Sequence, residues 1–324
     1  MKLLLIILSF AFSLIANPFA IHYEAKETLD HQDYIAIQNL LRSIDIDSFL
    51  EDLYPENQGY TSYEDFYSRC SRSTKQILID EEKSLFPITK LIKIGRGSDC
   101  CFTCCVPYDG VRIALIESMI QSLQETGFNG YFLYLTGGFP NPTGREIQYV
   151  GVPYSFKIFM MLDAYYRGFN KVMWIDSACL PIRDPTPLFE WMDSTGSFLY
   201  GWHSFPWAWR YILPSTREIL KNTTGVDVLN TPYVCTRVFG LKMNAERAKH
   251  LIREYYDLVL LGTPFLSCYP EEFVITAILG KSEYQAWKLY PFDVLRGAEN
   301  GENDSQEMID QKRAEGYFFY HLKH

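Results

Sequence analysis

The sequence lacks an excess of basic residues. It contains 30 lysine and arginine residues against 39 aspartate and glutamate residues, which gives a formal net charge of −9 at pH 7. A protein that binds nucleic acid regardless of its sequence needs a broad basic face to contact the phosphates. The charge balance therefore argues against nucleic acid as a partner. Internal repeats and low-complexity segments are absent as well.

Long hydrophobic runs are also missing. An apolar and small-residue run follows Lys2 over residues 3–16, which is shorter than the ~20 apolar residues that a membrane-spanning helix needs. A basic residue before a short apolar run is typical of a signal peptide. We therefore predict a signal peptide over residues 1–20, a secretory or extracytoplasmic location, and membrane contact at most through this segment. A buried N-terminal helix is the alternative.

The cysteines fit an exported protein only partly. Four of the eight lie close together, at Cys100, Cys101, Cys104 and Cys105, in a stretch that reads as a β-strand. Residues three apart on a strand point to opposite faces, and no second cysteine pair or nearby histidine pair completes a zinc site. We interpret them as buried thiols, and the sequence leaves open whether any of the eight forms a disulfide.

The chain divides into an N-terminal elaboration and a main domain. Residues 21–95 are polar-rich, with helical spacing in places, and are predicted to pack as a helical elaboration on the main domain, residues 96–324. In that domain strand-like segments at 101–106, 131–135 and 171–175 alternate with helical segments at 111–125 and 153–167. This alternation predicts an α/β fold with a mostly parallel central sheet flanked by helices.

One candidate functional residue follows directly from this pattern. The apolar segment 171–175 ends at Asp176, and proline-rich turn residues come after it. A short apolar run bounded by turns is typical of a strand buried on both faces. Ligands of open α/β sheets bind at the carboxyl edge of such strands, so Asp176 is expected to face a cleft. A turn or helix-capping aspartate is the alternative.

The order of several short motifs carries a family resemblance. The motifs are Tyr154-Ser155-Phe156-Lys157, the strand 171–175, Asp176-Ser177-Ala178, and Ile182-Arg183-Asp184-Pro185 before Pro187-Leu188-Phe189. Together they resemble the GT-A nucleotide-sugar glycosyltransferases, particularly the glycogenin-like and lipopolysaccharide galactosyltransferase group, and the last motif resembles fungal α-mannosyltransferases. The resemblance is closest over residues 101–202. It implies a GT-A fold and transfer of a hexose from a UDP- or GDP-sugar to a hydroxyl acceptor on a glycan, lipid or protein.

The resemblance implies a divalent cation but also exposes a departure from the family motif. In that family the two carboxylates of D-x-D hold Mn²⁺ or Mg²⁺, whereas here Asp176 keeps the first position and Ala178 takes the second. Oxygen ligands suit these ions, and a methyl group supplies none. Three explanations stay open: Asp176 holds the metal with a distant ligand, basic side chains replace the metal, or the site is inactive. By resemblance, His321 is the distant metal ligand and Lys323 contacts the pyrophosphate.

Further positions are assigned to the donor by the same resemblance. Lys157 is expected to reach the donor nucleotide, with Tyr154 framing the pocket, and Thr103 and Tyr108 are expected beside the nucleotide base. The alternative is that Lys157 is a solvated lysine and that Tyr154 is a core residue.

Two acids complete the predicted site. Glu271 and Glu272 begin a helix where GT-A enzymes often carry acids that face the acceptor. One of them is therefore a candidate general base if the transfer inverts the anomeric configuration of the sugar. Acids also favour the first helical turn because of the helix dipole alone. Asp176, Glu271 and Glu272 are therefore the catalytic candidates. A non-catalytic glycan- or nucleotide-binding protein on a degenerate GT-A scaffold is the alternative function, and Ala178 favours it.

Overall fold

The computed structural model describes residues 88–106, 110–149, 152, 154–205, 208–281, 288–297 and 304–322. The predicted signal peptide, most of the N-terminal elaboration, Tyr108 and Lys323 lie outside these described residues. Within them, no helix combines the length and the apolar character that a membrane crossing requires.

The described residues form nine strands and seven helices. The strands are β1 (Ile88–Ile94), β2 (Cys100–Val106), β3 (Gly130–Thr136), β4 (Lys171–Ile175), β5 (Cys179–Pro181), β6 (Ser197–Trp202), β7 (Tyr233–Lys242), β8 (Leu295–Gly297) and β9 (Phe319–His321). The helices are α1 (Gly110–Glu125), α2 (Phe156–Tyr166), α3 (Thr186–Thr195), α4 (Pro214–Thr224), α5 (Glu246–Leu261), α6 (Pro270–Leu279) and α7 (Gln306–Glu315).

A central sheet organises these elements in the order β1-β3-β2-β4-β7-β6. The predicted parallel strands β3, β2 and β4 form its centre, while β1 and β7 run in the opposite direction. β6 pairs antiparallel with β7 and so points the same way as β4. The predicted α/β class with helices flanking a central sheet is confirmed, and the sheet is mixed. The helical crossovers α1 and α2 make β2, β3 and β4 parallel, whereas β7 lies between β4 and β6 and is antiparallel to both.

The sheet also sets where the α/β body begins. β1 pairs with β3 along its whole length, from Ile88 opposite Thr136 to Ile94 opposite Gly130. The body therefore includes residues that the sequence analysis placed before its boundary at residue 95. The rest of the predicted N-terminal elaboration lies outside the described residues.

Each face of the sheet carries its own core, and β4 shows why its sequence is continuously apolar. Val172 and Trp174 belong to the core under α2, α5 and α6, whereas Met173 and Ile175 belong to the core under α1 and α3. Alternate residues of a strand point to opposite faces, so a strand between two helical layers needs apolar residues at every position. The cysteines of β2 divide in the same way, and every cysteine of the described residues is a free thiol.

A second, three-stranded sheet joins the C-terminal strand to the chain just after Asp176. A turn hydrogen bond from Cys179 N to Asp176 O, 2.8 Å long, leads into β5. β9 then pairs antiparallel with β5 and places His321 opposite Cys179. The predicted distant ligand and Asp176 are therefore brought to the same end of the central sheet.

A large irregularity in β7 lies at the level where β4 ends. Phe198 of β6 pairs with Gly240, but Tyr200 pairs with Cys235, so that one residue of β6 faces residues 236–239 of β7. The pairing of β7 with β4 continues to Val238 opposite Ile175. Bulges redirect side chains and occur next to active sites. This bulge places Thr236 beside the end of β4.

Candidate active site

Asp176 lies at the carboxyl end of β4 and is the accessible member of a charged cluster. Its side chain is 29% exposed. Oδ1 accepts a hydrogen bond from Trp174 Nε1 at 2.6 Å and lies 2.9 Å from Lys157 Nζ. The structure therefore places the carboxylate at the edge of the sheet, held from the protein side and open on the other.

Lys157 lies in the first turn of α2 and is almost completely buried, with 2% of its side chain exposed. Its Nζ lies 2.9 Å from Asp176 Oδ1 and 2.7 Å from Glu271 Oε1, and it donates to Thr236 O at 3.2 Å. Burial by itself would lower the pKa of Lys157, but the two carboxylates outweigh burial and raise the pKa well above its usual value. An ammonium has three N–H donors, so protein atoms occupy all of them.

Two aromatic rings enclose the ammonium of Lys157. Its Nζ lies 5.5 Å from the ring centroids of both Tyr154 and Trp174, within cation–π range. Tyr154 has a positive φ of 58°, a conformation that costs energy for a residue with a side chain. Its carbonyl accepts a hydrogen bond from Tyr255 OH at 3.4 Å. The strained turn before α2 thus places the Tyr154 ring beside the Lys157 ammonium, and the role of Tyr154 in a donor pocket stays a prediction.

Glu271 closes the cluster from the first turn of α6. Its Oε1 is bonded to Lys157 Nζ and to Thr236 Oγ1, the latter at 2.7 Å. Its Oε2 is buried and has no hydrogen-bond partner among the described residues. Buried polar atoms are normally paired, so an unpaired carboxylate oxygen calls for an explanation, and a proton acceptor is one.

Glu272 is engaged differently from its neighbour. Its Oε1 accepts from Thr236 N at 3.1 Å, and its Oε2 accepts from Tyr233 OH. Burial, and next the nearby Glu271 carboxylate, raises the pKa of Glu272. Both oxygens bind groups of β7, so the side chain holds the bulge in place and has no oxygen left over for an acceptor hydroxyl.

The other predicted residues lie apart from this cluster or at its rim. Thr103 is completely buried within β2, and its hydroxyl donates to Met173 O at 3.4 Å. With no exposed surface it contacts the neighbouring strand and not a nucleotide base, because β2 is covered on both faces. His321 is partly buried on β9, and the adjacent Leu322 N donates to Ala178 O at 2.9 Å.

The donor set fits a divalent cation poorly. Among the described residues, no three or more His, Cys, Asp and Glu side chains are grouped so as to hold a metal ion. Asp176 Oδ1 is already occupied by two N–H donors, one of them the Lys157 ammonium, which repels a cation. Ala178 is 8% exposed and offers only its methyl group. A metal at Asp176 and His321 stays a prediction.

Sequence reasoning missed three residues of this region. Trp174 looked like core alone, yet its indole nitrogen positions Asp176. Thr236 and Arg237 stand in a strand of ordinary appearance, and only the bulge brings them to the cluster. Asp176 N donates to Arg237 O at 2.8 Å, which fixes Arg237 beside the end of β4.

Two solved structures have a similar architecture. Mouse xyloside xylosyltransferase 1 in its apo form aligns with 68% of this chain and 97% of its own, at 12% identity and a TM-score of 0.36. The galactosyltransferase LgtC, in complex with donor and acceptor sugar analogues, aligns with 68% of this chain and 87% of its own, at 12% identity and a TM-score of 0.32. No family model and no curated protein matches the sequence.

Proposed function

We propose that the protein is a glycosyltransferase that moves a hexose from a UDP- or GDP-sugar to a hydroxyl of a glycan, lipid or protein. One observation carries the proposal: a partly exposed Asp176 at the carboxyl edge of β4, joined through buried Lys157 to Glu271. Ligands of α/β sheets bind at this edge. The motif order around Asp176 resembles that of GT-A enzymes, which supports a sugar nucleotide as the ligand.

The three charged residues take different roles in this proposal. Asp176 is the group that faces the donor, because it alone has substantial exposed surface. Lys157 is a positioning residue, because its ammonium is saturated by protein acceptors and has no N–H left for the donor nucleotide. The sequence resemblance had suggested direct contact with the donor. Two converging carboxylates explain why the side chain turns inward.

Glu271 is the candidate general base for an inverting transfer. Its free Oε2 would take the proton of the acceptor hydroxyl while the acceptor oxygen bonds to the anomeric carbon and the bond from that carbon to the diphosphate breaks. Its other oxygen is fixed by Lys157 and Thr236, which would hold the acceptor side of the reaction in place. Glu271 is 4% exposed, so the edge of the sheet has to open slightly before a hydroxyl reaches it.

A panel of nucleotide sugars tests the proposal. Wild-type protein is expected to release nucleoside diphosphate from at least one UDP- or GDP-hexose in the presence of simple glycan acceptors. Asp176→Asn is expected to lower kcat/KM for that donor by at least about 100-fold, the effect of losing one electrostatic contact to a transition state. Asp227→Asn is the matched control, because Asp227 is also bonded to a cation, Arg217, but outside the cluster. Unchanged turnover in Asp176→Asn would refute the role of Asp176.

A binding protein without transferase activity is the second candidate. The buried methyl group of Ala178 favours it, because the family's second acidic ligand is missing from the described site. Calorimetry on the same panel separates the two functions. An enzyme binds a donor and releases its sugar, whereas a binding protein gives a saturable isotherm and no release.

A further inference from the structure

Arg237 lies at the end of β4 because of the β7 bulge. Its carbonyl accepts the backbone N–H of Asp176, while the preceding side chain, Thr236, is bonded to Glu271. The turn from Asp176 to Cys179 folds the next segment of chain back toward the same place. The groups that act on the guanidinium electrostatically are Cys235, Glu272, Tyr200 and Cys179. The backbone of Arg237 therefore lies at the carboxyl edge of the sheet beside Asp176, and its guanidinium lies within electrostatic range of Cys179, which closes the turn after Asp176.

The guanidinium of Arg237 has no partner there. It is partly buried, and it makes no hydrogen bond or ion pair with any other described residue. A guanidinium carries five N–H donors and stays charged in proteins. Burying such a charge without a counter-ion is costly. An unpaired guanidinium at the edge of a sheet is therefore a place for an anion that comes from outside the protein.

The groups around Arg237 form no ion pair with it among the described residues, although the Glu272 carboxylate attracts the guanidinium. Burial raises the pKa of the Cys179 and Cys235 thiols and of the Tyr200 hydroxyl, so these three are uncharged at neutral pH. The pKa of Glu272 is also raised, chiefly by burial, which disfavours its charged form. The positive charge of Arg237 is left without a fixed negative partner in direct contact.

Other sources of positive charge at the site are occupied or absent. The ammonium of Lys157 is shared between Asp176 and Glu271, and the donor set fits a divalent cation poorly. A guanidinium matches phosphate oxygens geometrically, with two parallel N–H donors. Arg237 is thus the cationic group of the described site with donors to spare for a diphosphate.

We propose that Arg237 binds the diphosphate of the nucleotide directly and without a divalent cation. In the resembling family a metal on the D-x-D motif neutralises this leaving group, and here Arg237 replaces it. The identity of the ligand as a sugar nucleotide rests on the proposed function. The prediction of a metal-independent diphosphate site does not depend on the proposed function.

Titration calorimetry tests the proposal. Binding of inorganic pyrophosphate, UDP and GDP is measured in EDTA, and binding of the two nucleotides is measured again with Mn²⁺. Wild type is expected to bind pyrophosphate in EDTA, and Mn²⁺ is expected to change nucleotide affinity by less than about threefold. Arg237→Gln is expected to weaken pyrophosphate binding by about 10- to 100-fold, since it removes a charge-assisted pair of hydrogen bonds. Arg253→Gln, on the exposed side of α5, is the matched control and is expected to leave affinity unchanged.

Folding is checked on the same samples. Removing an unpaired, partly buried charge is expected to leave the denaturation midpoint of Arg237→Gln equal to that of wild type or higher. If Arg237→Gln does not fold, Arg237→Lys decides, because it keeps the charge and loses the paired donors. Binding at least about threefold weaker than wild type then supports the proposal, and unchanged binding contradicts it.

Three results would overturn the inference: no pyrophosphate binding by wild type in EDTA, nucleotide binding that requires Mn²⁺, or full affinity in Arg237→Gln. They are distinguishable from failure of the proposed function. Metal-free pyrophosphate binding that depends on Arg237, with no donor turnover, keeps the anion site and refutes the transferase. Donor turnover with Mn²⁺-dependent binding keeps the transferase and refutes the role of Arg237.

Discussion

Lys157→Met is the single substitution expected to destabilise the charged cluster of Lys157, Asp176 and Glu271 most. Methionine keeps most of the length of the lysine side chain and removes the ammonium that Asp176 and Glu271 share. The two carboxylates are then left in different situations. The Asp176 side chain is 29% exposed and can be hydrated, whereas the Glu271 side chain is 5% exposed. Among the described residues Glu271 then keeps only the Thr236 hydroxyl as a hydrogen-bond donor. Most of the loss of stability is therefore expected to come from Glu271.

The magnitude follows from this burial. Removing one partner of a buried ion pair costs about 3–5 kcal/mol, because a buried charge is left uncompensated. Glu271→Gln alone leaves Lys157 paired with Asp176 and with Thr236 O, so this single substitution is expected to lower the free energy of unfolding by about 1–2 kcal/mol. The double variant Lys157→Met, Glu271→Gln removes both buried charges, so neither is left without a partner. Its loss of unfolding free energy is expected to be about 2 kcal/mol smaller than the sum of the two single losses.

Urea denaturation of wild type, both single variants and the double variant measures this coupling. The slopes with urea are expected to agree among the four proteins, so that the midpoints report stability alone. If the two single losses of stability add up to the loss in the double variant to within about 0.5 kcal/mol, the expected coupling is refuted. Lys157 and Glu271 would then contribute to stability independently of each other.

Two further predictions concern the pH response and the packing of β7. Burial, and next Glu271, raises the pKa of Glu272 above its usual 4.5, so the stability from its protonated form is complete below pH 4.5 and is lost as pH rises through the raised pKa. Glu272→Gln is expected to flatten that part of a plot of denaturation midpoint against pH, and an unchanged plot contradicts this. Gly201→Ala would place a Cβ in steric clash with Tyr233 O and is expected to lower the free energy of unfolding by at least about 2 kcal/mol. Gly110→Ala meets no atom of the described residues within 4 Å and is expected to change stability by less than about 1 kcal/mol, so equal effects of the two substitutions would contradict the expected clash at Gly201.

The elements of the fold were largely predictable from local pattern. The strand Lys171–Ile175 has the predicted bounds, because its apolar run is limited by turn residues on both sides. The helix Pro270–Leu279 likewise begins at its proline and ends before a glycine. The place of β7 between β4 and β6 was not predictable, because strand direction and neighbour order depend on contacts far apart in the sequence.

The candidate site was predictable as a set of residues but not as an arrangement. Asp176, Lys157 and Glu271 were all named from the sequence, and the structure brings them together. Their roles stay predictions. The inward turn of Lys157 follows from two carboxylates that meet only in the fold. Arg237 carried no signal at all, since a bulge is a mismatch between two strands and neither strand shows it alone.

The central claim is that the charges around Asp176 serve transfer and not only stability. The most direct measurement is the rate of donor turnover by the triple variant Lys157→Met, Asp176→Asn, Glu271→Gln, which removes the charged cluster and keeps its shape. The three substitutions remove all three charges together, so no buried charge is left without a partner and a folded protein is expected. We expect kcat/KM of that folded variant to be at least about 1,000-fold below the wild-type value. A folded triple variant with wild-type kcat/KM would contradict it.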